Sequence, residues 1–423
     1  MTKKFNKAMM KFIDQSPTAF QAVANIKARL LSENFTELKE NQRWDLAKSG
    51  NYFVTRNDSG LIAFSLNKQT LEQTGFSLAG AHTDSPALKL KPQPQKISQE
   101  ALTLAVEPYG GGLWDTWFDR ELSLAGRISV VDQQGNLLHE LVDFKRPLAI
   151  IPNLAIHLQS KAIKDAGLNK QNHLPPLALL TGGKDVDFNQ LLIEEVQKQK
   201  PELKIDEIMA FELYFYPTLP AQTVGWHEEF IAAPRLDNLL SCYVLTEAII
   251  GSENSIAIFN DHEEIGSVST TGADGSFLED ILKRIAVDEE QLQVIKANST
   301  LLSVDNAHAV HPNYPGQHEP NHLPKLNQGV VLKINANQRY ASASEGVAEI
   351  KALAKQEGLK LQTFVAHSAL GCGSTIGPIT SAKLGVKTID IGVPSYAMHS
   401  IRELVGNQDS IDLLKLVRAF FNQ

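Results

Sequence analysis

The 423-residue chain carries only two cysteines, Cys242 and Cys372. That is too few for a disulfide framework, which a protein long enough to bury a large core does not need, and a reducing cytoplasm is the simplest setting for it. A basic excess is also missing: 40 Lys and Arg against 48 Asp and Glu leave a net charge of -8, so nothing electrostatic favours a nucleic-acid partner. No run of ~18 uncharged apolar residues occurs, and no membrane-spanning segment is expected. The first residues, through Asp14, place lysines and an aspartate where a signal peptide needs an unbroken apolar stretch, so no export signal is expected.

What is present is an ordinary globular composition, 43% apolar and 21% charged, with length for two or three domains at roughly 150 residues each. The N-terminal segment predicts helix, turn, helix. Pro17 suits the first helical position, and Phe20, Val23, Ile26 and Leu30 follow at helical spacing. Tyr52–Thr55 and Leu61–Leu66 predict short strands around an Asn-Asp-Ser-Gly turn.

Four short apolar runs each lead towards a polar residue: Phe76–Gly80 before His82, Ile256–Phe259 before Glu263, Leu301–Val304 before Asp305, and Thr388–Ile391 before the loop of His399. Such runs, with helical patterns between them, predict an α/β fold with a mostly parallel central sheet flanked by helices, whose ligand sites lie beyond the carboxyl ends of the strands. The gap from His82 to Asp237 is far longer than those separating the later residues, and its contents change to alternating strand-like runs between Leu102 and Val142. An inserted β-rich domain over 92–230 is therefore expected, with 1–91 plus 231–423 forming the catalytic domain.

Two imidazoles and three carboxylates are enough to hold two zinc-like ions when one carboxylate bridges them. His82, Asp237 and Asp305 would take one ion, and Asp237, Glu264 and His399 the other. Taken singly, each such residue is more often a solvated loop end or a helix cap; five at strand ends reverse those odds. Asp84, two residues after His82, is placed to accept from the imidazole nitrogen not bound to metal, the bland reading being an Asx-turn with Ser85-Pro86. Glu263 and Glu264 diverge on an extended backbone, which leaves Glu263 to handle a proton while Glu264 binds metal. Gly371–Gly377 lacks the Gly-Lys-Ser/Thr ending of a phosphate loop and reads as a tight turn near the site. His308, His311, His318 and His322 raise a further metal site, although the Pro and Asn around them favour a loop over the pocket.

These motifs resemble the metallo-aminopeptidase family that includes aspartyl aminopeptidase. The matching stretches are AGAHTDSP at 79–86, IPNLAIHL at 151–158, PRLDN at 234–238, DHEEIGSVSTTGA at 261–273, SVDNAHAVHPNY at 303–314, NANQRYAS at 335–342, GCGSTIGPI at 371–379 and MHSIRE at 398–403. The resemblance implies a zinc exopeptidase-like fold acting on peptides, with two Zn2+ ions and an inserted dimerisation domain in a homo-dodecamer built from dimers. By position, His82, Asp237, Glu264, Asp305 and His399 match its metal ligands, Glu263 its general base and Asp84 its supporting carboxylate. His157 matches a histidine inserted into a neighbouring subunit's site, and His308, Lys333 and Tyr340 fall where the family contacts substrate. The stretch Ser16–Gln21 departs from it, since relatives often have a second Pro and a His there.

The expected activity is release of N-terminal residues from peptides. Lys333 favours acidic ones if its ammonium faces the substrate, and broad or neutral ones if its stem lines a pocket with its head in water. The rival readings are a di-metal deacylase and, in another class, a non-catalytic assembly protein.

Overall fold

The computed structural model describes residues 2–423, the side chains of residues 162 and 164 apart. Contacts divide the chain into two compact units, one of 1–84, 221–398 and 403–423, the other of 85–220 and 399–402.

In the first unit, nine strands among the described residues form one sheet. Their order is Thr36–Leu38, Ser49–Arg56, Gly60–Asn67, Ser255–Asn260, Ser77–His82, Thr300–Val304, Lys387–Gly392, Val330–Ile334 and Leu361–Val365. The central four, Ser255–Asn260 through Lys387–Gly392, run parallel to one another. They are the four apolar runs of the sequence, and they are apolar because both faces are covered. One face packs on Leu236–Ile249, Asp409–Phe421 and the two N-terminal helices. The other packs on Phe277–Ile285 and Glu289–Asn298. The helix Leu236–Ile249 is buried nearly all round, its polar Asp237, Asn238, Ser241 and Thr246 included. A five-stranded sheet also lies in this unit, in the order Gln222–Val224, Phe230–Ala233, Glu403–Gly406, Pro394–Tyr396, Ala307–His308.

The N-terminal helices span Thr2–Asp14 and Ala19–Ser32. The second starts later than Pro17 predicts. Thr18 is its extended cap (φ -139°, ψ 169°), and the Thr18 carbonyl accepts from Ala22 N at 3.0 Å, so the first helical bond closes only there. Phe20, Val23, Ile26 and Leu30 are all buried, as their spacing requires.

The second unit is β-rich and antiparallel. Ile205–Pro217, Ala87–Ser98, Ala101–Tyr109, Leu177–Leu180, Ala149–Ile150 and Glu121–Asp132 follow one another, and Glu121–Asp132 pairs back onto Ile205–Pro217. The sheet thereby closes barrel-like, with Leu137–Asp143 paired along Glu121–Asp132 as an additional strand outside the closed ring. The helix Phe188–Gln199, capped by Asp187, adds Phe188, Leu192 and Val196 to the barrel core. Ala87–Ser98 is one continuous barrel strand, so the unit begins ahead of it at 85, whereas Phe230–Ala233 belongs to the five-stranded sheet. Residues 399–402 join the barrel unit because Ile401 is buried in its core.

Both cysteines are unpaired. Cys242 is fully buried on the central helix, its thiol donating to the carbonyl of His82 at 3.0 Å, and burial pushes its pKa up to about 12. Cys372 is half-buried. Alkylation of the native protein with iodoacetamide is expected to modify Cys372 and spare Cys242 until denaturant is added, because the thiolate is the nucleophile. Peptide mass spectrometry reads this directly, and native modification of Cys242 would contradict the packing of Leu236–Ile249.

Candidate metal centre

His82 ends the strand Ser77–His82 and is 2% exposed. Its Nε2 lies 3.3 Å from Asp237 Oδ1 and 3.7 Å from Asp305 Oδ1. Its Nδ1 lies 3.0 Å from the carbonyl oxygen of Asp84 and 3.4 Å from Asp84 Oδ1. One ring nitrogen therefore faces two carboxylates while the other is held by Asp84, an arrangement that sets the tautomer. The nearer contact is to the Asp84 backbone. The Asp84 carboxylate has a second task, accepting the backbone N–H of Glu263 at 3.2 Å and of Glu264 at 3.1 Å.

Those two N–H groups are available because Glu263–Ile265 is a 3-10 turn, entered through His262 at φ 64° and left through Gly266 at φ 98°. The extended backbone expected from the sequence is thus corrected. The two glutamates diverge through the roughly 120° step of a three-residue turn, not through a pleat. Asp237 stands at the entrance of the helix Leu236–Ile249. Asp305 follows the strand Thr300–Val304, its N–H bonded to the Ile391 carbonyl at 2.9 Å.

Within this unit the structure brings together His82, Asp237 and Asp305 as one set, and His82, Glu263 and Glu264 as another. The ligand atoms of each set lie within 4.8 Å of one another. Burial is the largest influence on Glu263 and, with the carboxylates of Asp305, Asp84 and Asp237, outweighs the opposing effect of His82 to push its carboxyl up to about 7. Burial opposes the charge on His82, but the facing carboxylates of Asp237, Asp305 and Asp84 win and raise its pKa well above the usual histidine range. Asp305 Oδ1 is buried and accepts no hydrogen bond. Crowded carboxylates around an imidazole, one of them with an unused lone pair, fit a zinc-like cation in donor type and in charge.

His399 lies in the second unit. Its Nδ1 meets the Gly111 carbonyl at 2.7 Å and its own carbonyl accepts from Leu113 N at 2.9 Å, so that unit sets its orientation. His157 is exposed on the short turn Ile156–Leu158, between two exposed apolar residues, Ile156 and Leu158.

Lys333 is neither a surface residue nor a lysine with its head in water. It is 1% exposed, with Nζ 3.3 Å from Asp305 Oδ2, 3.2 Å from the Asn306 carbonyl and 5.1 Å from the centre of the Tyr340 ring. The strand Val330–Ile334 carries it inward, where Asp305 supplies the counter-charge. Tyr340 is buried, and burial, followed by Cys372, raises the pKa of its hydroxyl. His308 is exposed, edge-on to Phe364 at 5.6 Å.

The other histidines of that loop make local bonds, His322 to Glu319 and His318 Nε2 to the N–H of His311; among the described residues they form no metal-holding group. The Gly371–Gly377 stretch contains Thr375, which caps the helix Ile376–Leu384 and donates to Asp390. Sequence reasoning missed two supports of the site. Glu403 Oε2 accepts the N–H of Asp237 at 2.9 Å, and Asn238 Nδ2 donates to the Val304 carbonyl at 2.9 Å. The available signal was their position inside PRLDN and MHSIRE, beside presumed ligands.

Comparison with known proteins agrees along the whole chain. A family profile described as "Aminopeptidase I zinc metalloprotease (M18)" matches residues 12–421. A protein of Azotobacter vinelandii named "Probable M18 family aminopeptidase 2" is 47% identical over 426 residues, covering 100% of this chain and 99% of that one. The fold is similar to that in the cryo-EM structure of the Ape4 and Nbr1 complex, with TM-score 0.94, 38% identity, and coverage of 99% of this chain and 86% of that one. It is similar also to the S. cerevisiae mApe1 dodecamer, with TM-score 0.85, 29% identity, and coverage of 98% and 95%. With its histidine and carboxylates gathered at the ends of parallel strands, the chain belongs to the M18 family of zinc metalloprotease aminopeptidases.

Proposed function

We propose that the protein removes N-terminal residues from peptides at a two-zinc centre, with Glu263 as general base. The observation that carries this is the convergence of His82, Asp237 and Asp305 beside Glu263 and Glu264. His82, Asp237 and Asp305 would hold one ion, and Asp237, Glu264 and His399 the other, with Asp237 bridging. Bound zinc would supply Lewis acidity, polarising the scissile carbonyl and making water acidic enough to attack at neutral pH.

The protein's own groups do the rest. Asp84 holds the His82 imidazole and, through the N–H groups of Glu263 and Glu264, fixes the turn that separates base from ligand. Glu263 takes the proton of the attacking water and delivers it to the leaving amine. The crowded carboxylates offer acceptors for the substrate's free ammonium, which restricts cleavage to a chain end.

For Lys333 the hydrogen bonds to Asp305 and the Asn306 carbonyl support a positioning role. Its ammonium steadies a ligand and is not exposed to a substrate carboxylate, which favours a broad first-residue preference over one for Asp and Glu. His308 and Tyr340 flank the same region through Phe364 and would line the substrate pocket. The chain would assemble as a dodecamer built from dimers, the mApe1 relative being a dodecamer in its structure, with His157 reaching a neighbour's site to steady the oxyanion. Cytoplasmic residence goes with this reading, since both cysteines are unpaired.

Glu263→Gln is expected to retain zinc and to lose about 10²–10⁴ in turnover, whereas Asp237→Ala is expected to lose zinc. Metal analysis beside kinetics on aminoacyl chromogenic substrates, with N-acetylated amino acids as the deacylase control, decides this. Near-wild-type turnover in zinc-loaded Glu263→Gln would remove Glu263 from its role.

Lys333→Met should lower kcat/KM equally for acidic and neutral substrates. A loss confined to Asp and Glu substrates would instead make Lys333 the acidic recogniser.

Mixing His157→Ala with Glu263→Gln protein under subunit exchange should restore part of the activity, because hybrid sites combine an intact His157 with an intact Glu263. No recovery despite proven exchange would confine His157 to its own subunit.

A further inference from the structure

Glu403 ends the stretch Met398–Glu403, and the ligand assignment leaves it without a task. It opens the strand Glu403–Gly406 and lies opposite Ala233 in the ladder with Phe230–Ala233, the strand that leads through Pro234 and Arg235 to Asp237. Its side chain is 2% exposed, and its Oε2 accepts the backbone N–H of Asp237 at 2.9 Å.

That N–H sits where the helix Leu236–Ile249 has not yet taken helical geometry. Asp237 (φ -84°, ψ 104°) and Asn238 (φ -124°, ψ 25°) depart from it, and Arg235 ahead of them stands at φ 56° without a capping side chain. The first N–H groups of a helix need outside acceptors, commonly supplied by Ser, Thr, Asn or Asp at the cap itself. Here the acceptor is a glutamate reaching from another strand. It places a buried carboxylate against the very peptide that carries the Asp237 carboxylate.

We propose that Glu403 is a positioning residue for Asp237, holding its peptide so that the side chain is presented to metal before any metal arrives. This rests on the reading of Asp237 as the bridging ligand.

The test is zinc affinity of the full-length protein by chelator competition, with the melting temperature of the metal-free protein measured alongside. Glu403→Met, which removes the acceptor, and Glu403→Asp, which keeps the charge but withdraws it by one methylene, should each weaken zinc binding by about 10–100-fold. Glu403→Gln keeps both length and an acceptor oxygen and should recover most of that loss. If the Met variant does not fold, the Asp and Gln variants carry the comparison. Wild-type zinc affinity in all folded variants, or a fall in melting temperature with affinity unchanged, would overturn the proposal. Asp237→Ala separates the two readings: zinc lost there while the Glu403 variants bind normally sinks the proposal alone, and zinc retained there sinks the ligand assignment and the proposal together.

Discussion

The candidate metal centre depends on one constraint, the parallel ladder joining Ser255–Asn260, Ser77–His82, Thr300–Val304 and Lys387–Gly392. Parallel pairing forces the carboxyl ends of all four strands to one edge, where His82, Asp305 and the Glu263–Glu264 turn follow three of them. Asn260 pairs with His82 in register, so the Asp261–Glu264 segment leaves the sheet beside the histidine. A one-residue slip would turn each inward side chain to the opposite face. The observed register keeps Leu78, Ile256, Ile258 and Leu301 on one face and Ala79, Ala257, Phe259 and Leu302 on the other.

Gathering Asp84, Asp237, Asp305, Glu263 and Glu264 around His82 runs against the stability of the metal-free fold. The structure limits that cost locally. Asp84 accepts two backbone N–H groups, and Lys333 brings its ammonium to Asp305. Glu263 and His82 are both displaced upward in pKa, by burial together with neighbouring carboxylates in the first and by carboxylate partners against burial in the second. Displaced groups of this kind, beside a cluster of carboxylates, are typical of functional sites. The rigidity needed to hold it comes from the same buried strands and the central helix.

Much of the architecture was legible in the residues. Ile256–Phe259 is a continuous apolar run, and Leu301–Val304 and Thr388–Ile391 are largely apolar, because these strands are covered on both faces, whereas Phe20, Val23, Ile26 and Leu30 mark a helical stripe because one face of their helix is buried. Local geometry at the site was not legible. An Asp-His-Glu-Glu-Ile-Gly string does not announce a 3-10 turn, since its left-handed entrance at His262 is set by what surrounds it, including the hydrogen bonds from Glu263 and Glu264 N–H to Asp84. Lys333 resembles a strand-end lysine because the acid that draws it inward is far away in sequence.

By itself the sequence determined the fold class, through the order of apolar runs and helices, and the inventory of histidine and carboxylate donors at strand ends, because periodicity and residue chemistry are local properties. The tertiary structure alone decided which donors stand within 4.8 Å of one another, that Asp84 serves both His82 and the Glu263–Glu264 turn, that Lys333 is consumed by Asp305, and that Glu403 backs the peptide of Asp237. Each of these is a contact between segments distant along the chain, and such contacts exist only once burial has fixed the register of the strands that carry them.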